Sequence, residues 1–118
     1  MPVAPTGLDQ VQLSDGSSNS ANEAALSAAI MEYAIRNNRR DVADLSVLGF
    51  SRAAHGCTVA TLSCSDSAAN VGKVPTYDWP VSESPKIEYP YAKHEHANIA
   101  EEERCFEAAV KAINDRRA

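Results

Sequence analysis

A loop able to hold a phosphate is the first chemistry the sequence offers. In "SDGSSNSANEAAL", Gly16, Ser17, Ser18 and Ser20 run straight into an alanine-rich helical segment. The first backbone N–H groups of a helix have no partner within it, and the helix dipole adds partial positive charge there. Serine hydroxyls beside those amides would complete an anion site. The same residues also read as a plain helix start, with Ser20 or Asn22 as the N-cap. His55 and Cys57 have the residue types of a base and a nucleophile, but they stand two apart and nothing supplies an orienting third group. His94 and His96 flank Glu95 and are metal-ligand types. Two histidines one residue apart on a polar stretch read equally as solvated side chains. Cys57, Cys64 and Cys105 are odd in number and make no C-x-x-C. That argues against a disulfide framework or a zinc site and for free thiols in a reducing compartment.

Elements must position these groups. "VQLS" (Val11–Ser14) alternates and predicts a short strand, after a Pro- and Gly-containing loop over residues 1–10. A helix is predicted over 22–40, with Leu26, Ile30, Tyr33 and Ala34 on one face. Arg36, Arg39 and Arg40 gather at its C-terminal end, where the dipole favours cations. "LSVLGFS" (Leu45–Ser51) reads as a buried strand, "RAAHG" as a turn and "CTVATLSC" as one or two helical turns. Residues 65–95 carry Pro75, Pro80, Pro85 and Pro90, which predicts an extended excursion with "KIEY" as its one edge strand. The last helix, 96–118, opens at Asn98 and Glu101 with capping-box spacing. Ile99, Phe106, Val110 and Ile113 make its apolar stripe. The order is α/β, but incomplete: two short strands cannot form a sheet that both main helices cover.

Composition bounds what this architecture can do. One partial domain fits in 118 residues, and a net charge of −5 leaves no basic footprint for nucleic acid. No apolar run approaches the roughly 20 residues of a membrane span, and the start carries no signal-peptide pattern. The expected location is therefore intracellular, in cytoplasm or mitochondrion. Twenty alanines inflate the hydrophobic fraction of 44%, and Leu, Ile, Val and Phe together number only 22. Alanine buries little area, so the core is lean. Both helical stripes need cover, and self-association is the expected partner relation.

A resemblance joins these stretches. "GSSNSANEAAL" resembles the phosphate loop of class III pyridoxal-phosphate-dependent aminotransferases, and "VLGFSRAAHGCTVATL" resembles their F-H-G-R-T segment. "VPTYDWPVSESPKIEYP" is similar to the P-x-F-D-W-P segment of the 4-aminobutyrate aminotransferase-like members, and "EEERCFEAAVKAI" to the helix after it. Order and spacing agree over residues 3–118. The resemblance implies part of the large domain of a fold-type-I aminotransferase. It implies pyridoxal phosphate as the family cofactor, and amino transfer from 4-aminobutyrate to 2-oxoglutarate as the family reaction. Carried over residue by residue, Gly16, Ser17, Asn22 and His55 fall at cofactor-binding positions.

The departures carry as much information. The aromatic that stacks on the cofactor ring is Ala54 here, and the arginine that grips the substrate carboxylate is Cys57. A methyl group cannot stack, and a thiol cannot replace a bidentate guanidinium. The loop between Gly16 and Asn22 is two residues longer than the family form. None of Lys73, Lys86, Lys93 and Lys111 falls at the position of the family's cofactor-bound lysine. The expectation is a piece or shortened descendant of such an enzyme, with no catalytic residue of its own and the cofactor not held by this chain alone. The alternative is a stand-alone, non-enzymatic binding protein that inherited the sequence. Trp79 reads as a buried anchor of the long loop, and Asp78 and Glu83 as carboxylates without partners.

Overall fold

The computed structural model describes residues 5–117 apart from Asp9 and Asp15; residues 1–4 of the expected opening loop lie outside that range. The described residues form a small α/β unit of three α-helices and two parallel strands. Helix α1 spans Ser18–Arg36, four residues earlier than the sequence predicts. Gly16, at φ +96°, lets the chain turn, and Ser17 follows in extended conformation as the true N-cap. Neither Ser20 nor Asn22 caps the helix. Alanine, the best helix former, then carries α1 without a glycine or proline. It stops at Arg36 because Asn37 donates back to the Tyr33 carbonyl at 2.8 Å and Asn38 swings to φ +52°. Arg39 and Arg40 therefore lie beyond the helix rather than in its last turn.

Val11–Ser14 is exposed coil, not a strand. Its alternation has no neighbouring strand to pair with, and period-2 patterning without a ladder does not make a sheet. The strands are β1, Gly49–Phe50, and β2, Val81–Ser82, paired in parallel with Gly49 opposite Val81. Gly49 N–H donates to the Pro80 carbonyl at 2.9 Å, and Ser51 N–H to the Ser82 carbonyl at 2.8 Å. Between them runs a crossover holding α2, Val59–Ser63, which packs on α1. At Gly49 a Cβ would overlap the Cys64 carbonyl at the end of α2. Only glycine lets strand and helix approach that closely.

The segment "KIEY" is not a strand either. The buried Asn98 accepts from Glu88 N–H at 2.9 Å and donates to Glu88 C=O at 3.0 Å, so one carboxamide takes the place of a neighbouring strand. Helix α3, Glu95–Arg117, thus begins before Asn98, and the expected cap residue serves as a clamp instead. Helix α3 packs against β2, and its more buried residues are Asn98, Glu101, Cys105, Ala108, Ala109 and Ala112. The apolar stripe of Ile99, Phe106, Val110 and Ile113 lies one residue on, about 100° around the helix, and stays 39–70% exposed. Small and polar residues therefore take the packed side, and the large apolar ones face outward.

Trp79 is only half-buried and stacks on Tyr77 at 5.1 Å. What ties the long excursion down is polar. The Arg52 guanidinium donates to the carbonyls of Ser84 and Pro85 at 2.8 and 2.7 Å. The carboxylates of Glu83 and Asp78 both have partners: Arg104 at 2.7 Å from Glu83, and Arg116 at 3.6 Å from Asp78, whose backbone carbonyl also accepts from Arg116 at 2.7 Å. Among the described residues no helix is long and apolar enough to cross a membrane.

Candidate functional site

The site is built where the N-terminal turn of α1 meets the turn after β1. Asn19, Asn22 and Glu23 fall on one face of α1 by helical spacing, and each reaches the 55–58 turn. Asn22 Nδ2 donates to the His55 carbonyl at 2.7 Å. Asn19 Nδ2 lies 3.1 Å from Cys57 Sγ, with the thiol as acceptor. Glu23 accepts from the Thr58 hydroxyl at 2.7 Å. Thr58 and Thr61 in turn form a reciprocal cap at the start of α2, and Thr61 is fully buried. Gly56 stands at φ +139° with Asn19 so close that a Cβ would meet its Oδ1 at 2.6 Å. Only glycine serves at that position.

His55 is held by its backbone. Its N–H donates to Ser65 Oγ at 2.9 Å, and its carbonyl accepts from Asn22. The imidazole sits exposed at the rim of a cleft of about 230 Å³, whose lining includes Asn22, Leu26, Val47, Phe50 and Cys64. Burial pushes the Cys64 thiol up from its ordinary value, so it stays protonated. Of the four residues expected to touch a cofactor, the fold brings Asn22 and His55 together in this cleft. Gly16 and Ser17 stand at the helix end and do not line it. Ser17 makes no cap bond with its side chain. Ala54 and Cys57 are both exposed.

Sequence reasoning missed Asn19, Glu23, Thr58, Thr61 and Phe50. The T-x-x-T spacing of a cap was legible. The reach of α1 to the turn was not, because it depends on where the helix starts. Phe50 brings a ring to the cleft from an element that spacing alone placed inside a strand. His94 Nδ1 pairs with Glu88 at 3.2 Å, and no cluster of metal-ligand side chains occurs among the described residues.

The cleft does not fit pyridoxal phosphate as a covalently held group. No lysine, arginine or carboxylate lines it, so it offers neither an amine for the aldehyde nor an acid for the ring nitrogen. Lys73 lines a separate cleft of about 560 Å³ beside Tyr77 and Trp79, and Lys111 is paired with Asp115 at 2.7 Å. The lining combines the apolar side chains of Leu26, Val47 and Phe50 with the polar Asn22 and His55. Its lining carries one imidazole, His55, and one thiol, Cys64, which burial keeps protonated.

Comparison with known proteins places these geometries in context. No family model matches the chain. It is 31% identical over 131 aligned residues to a 4-aminobutyrate aminotransferase of Dictyostelium discoideum, covering 96% of this chain and 26% of that one. It is 30% identical over 135 residues to that of Emericella nidulans, covering 98% and 27%. To the mitochondrial 4-aminobutyrate aminotransferase of Sus scrofa it is 29% identical over 124 residues, covering 91% and 25%. Over nearly its whole length, the chain is therefore similar to proteins named 4-aminobutyrate aminotransferase, of which it spans about a quarter.

Proposed function

We propose that this chain is a piece or shortened descendant of a 4-aminobutyrate aminotransferase. It is equivalent to part of the large, cofactor-binding domain of a fold-type-I enzyme, and it does not transaminate on its own. In the intact family, pyridoxal phosphate supplies the electron sink for moving the amino group. The observation that carries the reading is the Asn19–Cys57 contact at 3.1 Å. Where the resemblance puts the substrate-gripping arginine, this chain has a thiol already engaged by α1. The cleft beside it lacks an amine. An intracellular location, in cytoplasm or mitochondrion, goes with this reading, since several relatives are named mitochondrial.

The test is direct. Mix the chain with pyridoxal phosphate, reduce with borohydride and weigh the protein. The expected result is scattered, substoichiometric labelling of surface lysines. A stoichiometric adduct on one lysine overturns the reading.

A second reading, a stand-alone non-enzymatic binding protein, is favoured by the closed bonding of the turn. His55, Cys57 and Thr58 are each engaged from α1, and His55 also by Ser65. Sequencing the transcript past the Ala118 codon separates the two. A continuing frame with a cofactor lysine supports the piece; a stop codon supports the stand-alone protein.

A further inference from the structure

The larger cleft, of about 560 Å³, shares no lining residue with the one beside His55. Its volume falls in the range of small-molecule sites, roughly 300–1,000 Å³. Its walls are mixed: Val74 and Val81 are apolar, Tyr77 and Trp79 aromatic, Lys73 and Thr76 polar. Most of them come from one stretch, "KVPTYDW". Tyr77 N–H donates to Ser63 Oγ at 2.8 Å, which pins the stretch to α2. Trp79 N–H then reaches back to the Tyr77 carbonyl at 2.9 Å. This three-residue turn throws Asp78 outward and stacks the two rings at 5.1 Å, with 27° between their planes. Tyr77 stays 56% exposed and Trp79 half-buried. An aromatic pair fixed in an open cleft presents a π face that a third ring extends by offset stacking.

Charge decides which ring fits. Lys73 enters the cleft from a loop that its neighbours lock. The Asn70 carboxamide accepts from Val74 N–H at 3.0 Å and donates to the Val74 carbonyl at 2.8 Å. Lys73 N–H donates to the Asn70 carbonyl at 3.1 Å, and the residue is held at φ +50°. Its ammonium has no ion-pair partner among the described residues. Asp78 is the one carboxylate of the lining, and its side chain is fully exposed and faces Arg116 at 3.6 Å. It therefore leaves the Lys73 charge free for a ligand. Thr76, three residues on, adds a hydroxyl able to donate to the same anion.

We propose that the cleft bounded by Lys73, Thr76, Tyr77 and Trp79 binds a small planar aromatic carboxylate, its ring on the Tyr77–Trp79 pair and its carboxylate on the Lys73 ammonium. The binding is non-covalent. It goes beyond the aminotransferase reading and does not rest on it.

Proton–nitrogen NMR on the full chain tests this. Trp79 is the single tryptophan, so one indole N–H signal reports on the cleft. Titration with 2-naphthoate should shift that signal saturably, at one site and with a dissociation constant of about 1 mM or tighter. The probe has no aldehyde, so its binding is read independently of any cofactor adduct. Uncharged 2-naphthamide and non-aromatic cyclohexanecarboxylate should each bind roughly 5-fold more weakly. Lys73→Gln should weaken 2-naphthoate roughly 5-fold and leave 2-naphthamide unchanged. Lys73→Arg should retain binding, and Lys86→Gln, outside the cleft, should change nothing. Far-UV circular dichroism of each variant should match wild type. The absence of a saturable indole shift up to about 10 mM, equal affinity for either control compound, or undiminished 2-naphthoate binding in Lys73→Gln each overturns the proposal.

Discussion

Replacing Asn98 with alanine removes the most buried of the side chains that tie α3 to the Pro-rich excursion. The residue is 1% exposed, and its carboxamide satisfies both backbone groups of Glu88, at 2.9 and 3.0 Å. Each hydrogen bond contributes about 1 kcal/mol net, and leaving a part-buried amide and carbonyl unpaired raises the cost further. The expected loss is about 2–3 kcal/mol, a large share of the stability of a lean domain. That corresponds to a melting temperature lower by about 10 °C. Urea unfolding followed by far-UV circular dichroism measures the global term, and amide exchange at Glu88 reads the local one. Asn98→Asp adds a control: its oxygen still accepts from the Glu88 N–H, but a buried carboxylate then faces the Glu88 carbonyl. The aspartate variant should be at least as unstable as the alanine one. An Asn98→Ala protein within about 0.5 kcal/mol of wild type, its Glu88 amide still protected, would refute the clamp.

Acid should weaken the same dock. The Arg104 guanidinium, donating to Glu101, lowers that carboxyl from 4.5 to about 2. Because the folded value is the depressed one, the contribution is complete above the ordinary value of 4.5 and is lost as pH falls toward 2. Melting curves through that window should fall more steeply for wild type than for Glu101→Gln; parallel curves would count against it. Restoring family residues at the turn, Ala54→Phe with Cys57→Arg, should give no conversion of 4-aminobutyrate above the free-cofactor background. Those changes add a ring and a guanidinium but no amine to the cleft. Measurable turnover would show that one of the four lysines serves after all.

Sequence by itself determined the α/β composition, the existence of both long helices and the similarity to a quarter of an aminotransferase. Helices of 19 and 23 residues declare themselves locally, through alanine content, period and charge at their ends. The departures at Ala54 and Cys57 were legible for the same reason: each is a single residue type that cannot do a stated job. Tertiary structure decided everything that depends on which surface meets which. Val11–Ser14 alternates like a strand yet has no neighbour, while Val81–Ser82, two residues with no pattern, pairs because the crossover brings it beside Gly49. Asn98 looked like a cap and became a clamp, since the helix started three residues earlier. The stripe on α3 looked like its buried face. Cys105 and Ala108 lie on the packed side while Phe106 stays 70% exposed, so docking left the apolar side in water. Periodicity shows that a helix has two faces, but only the shape of the neighbour selects the one that packs.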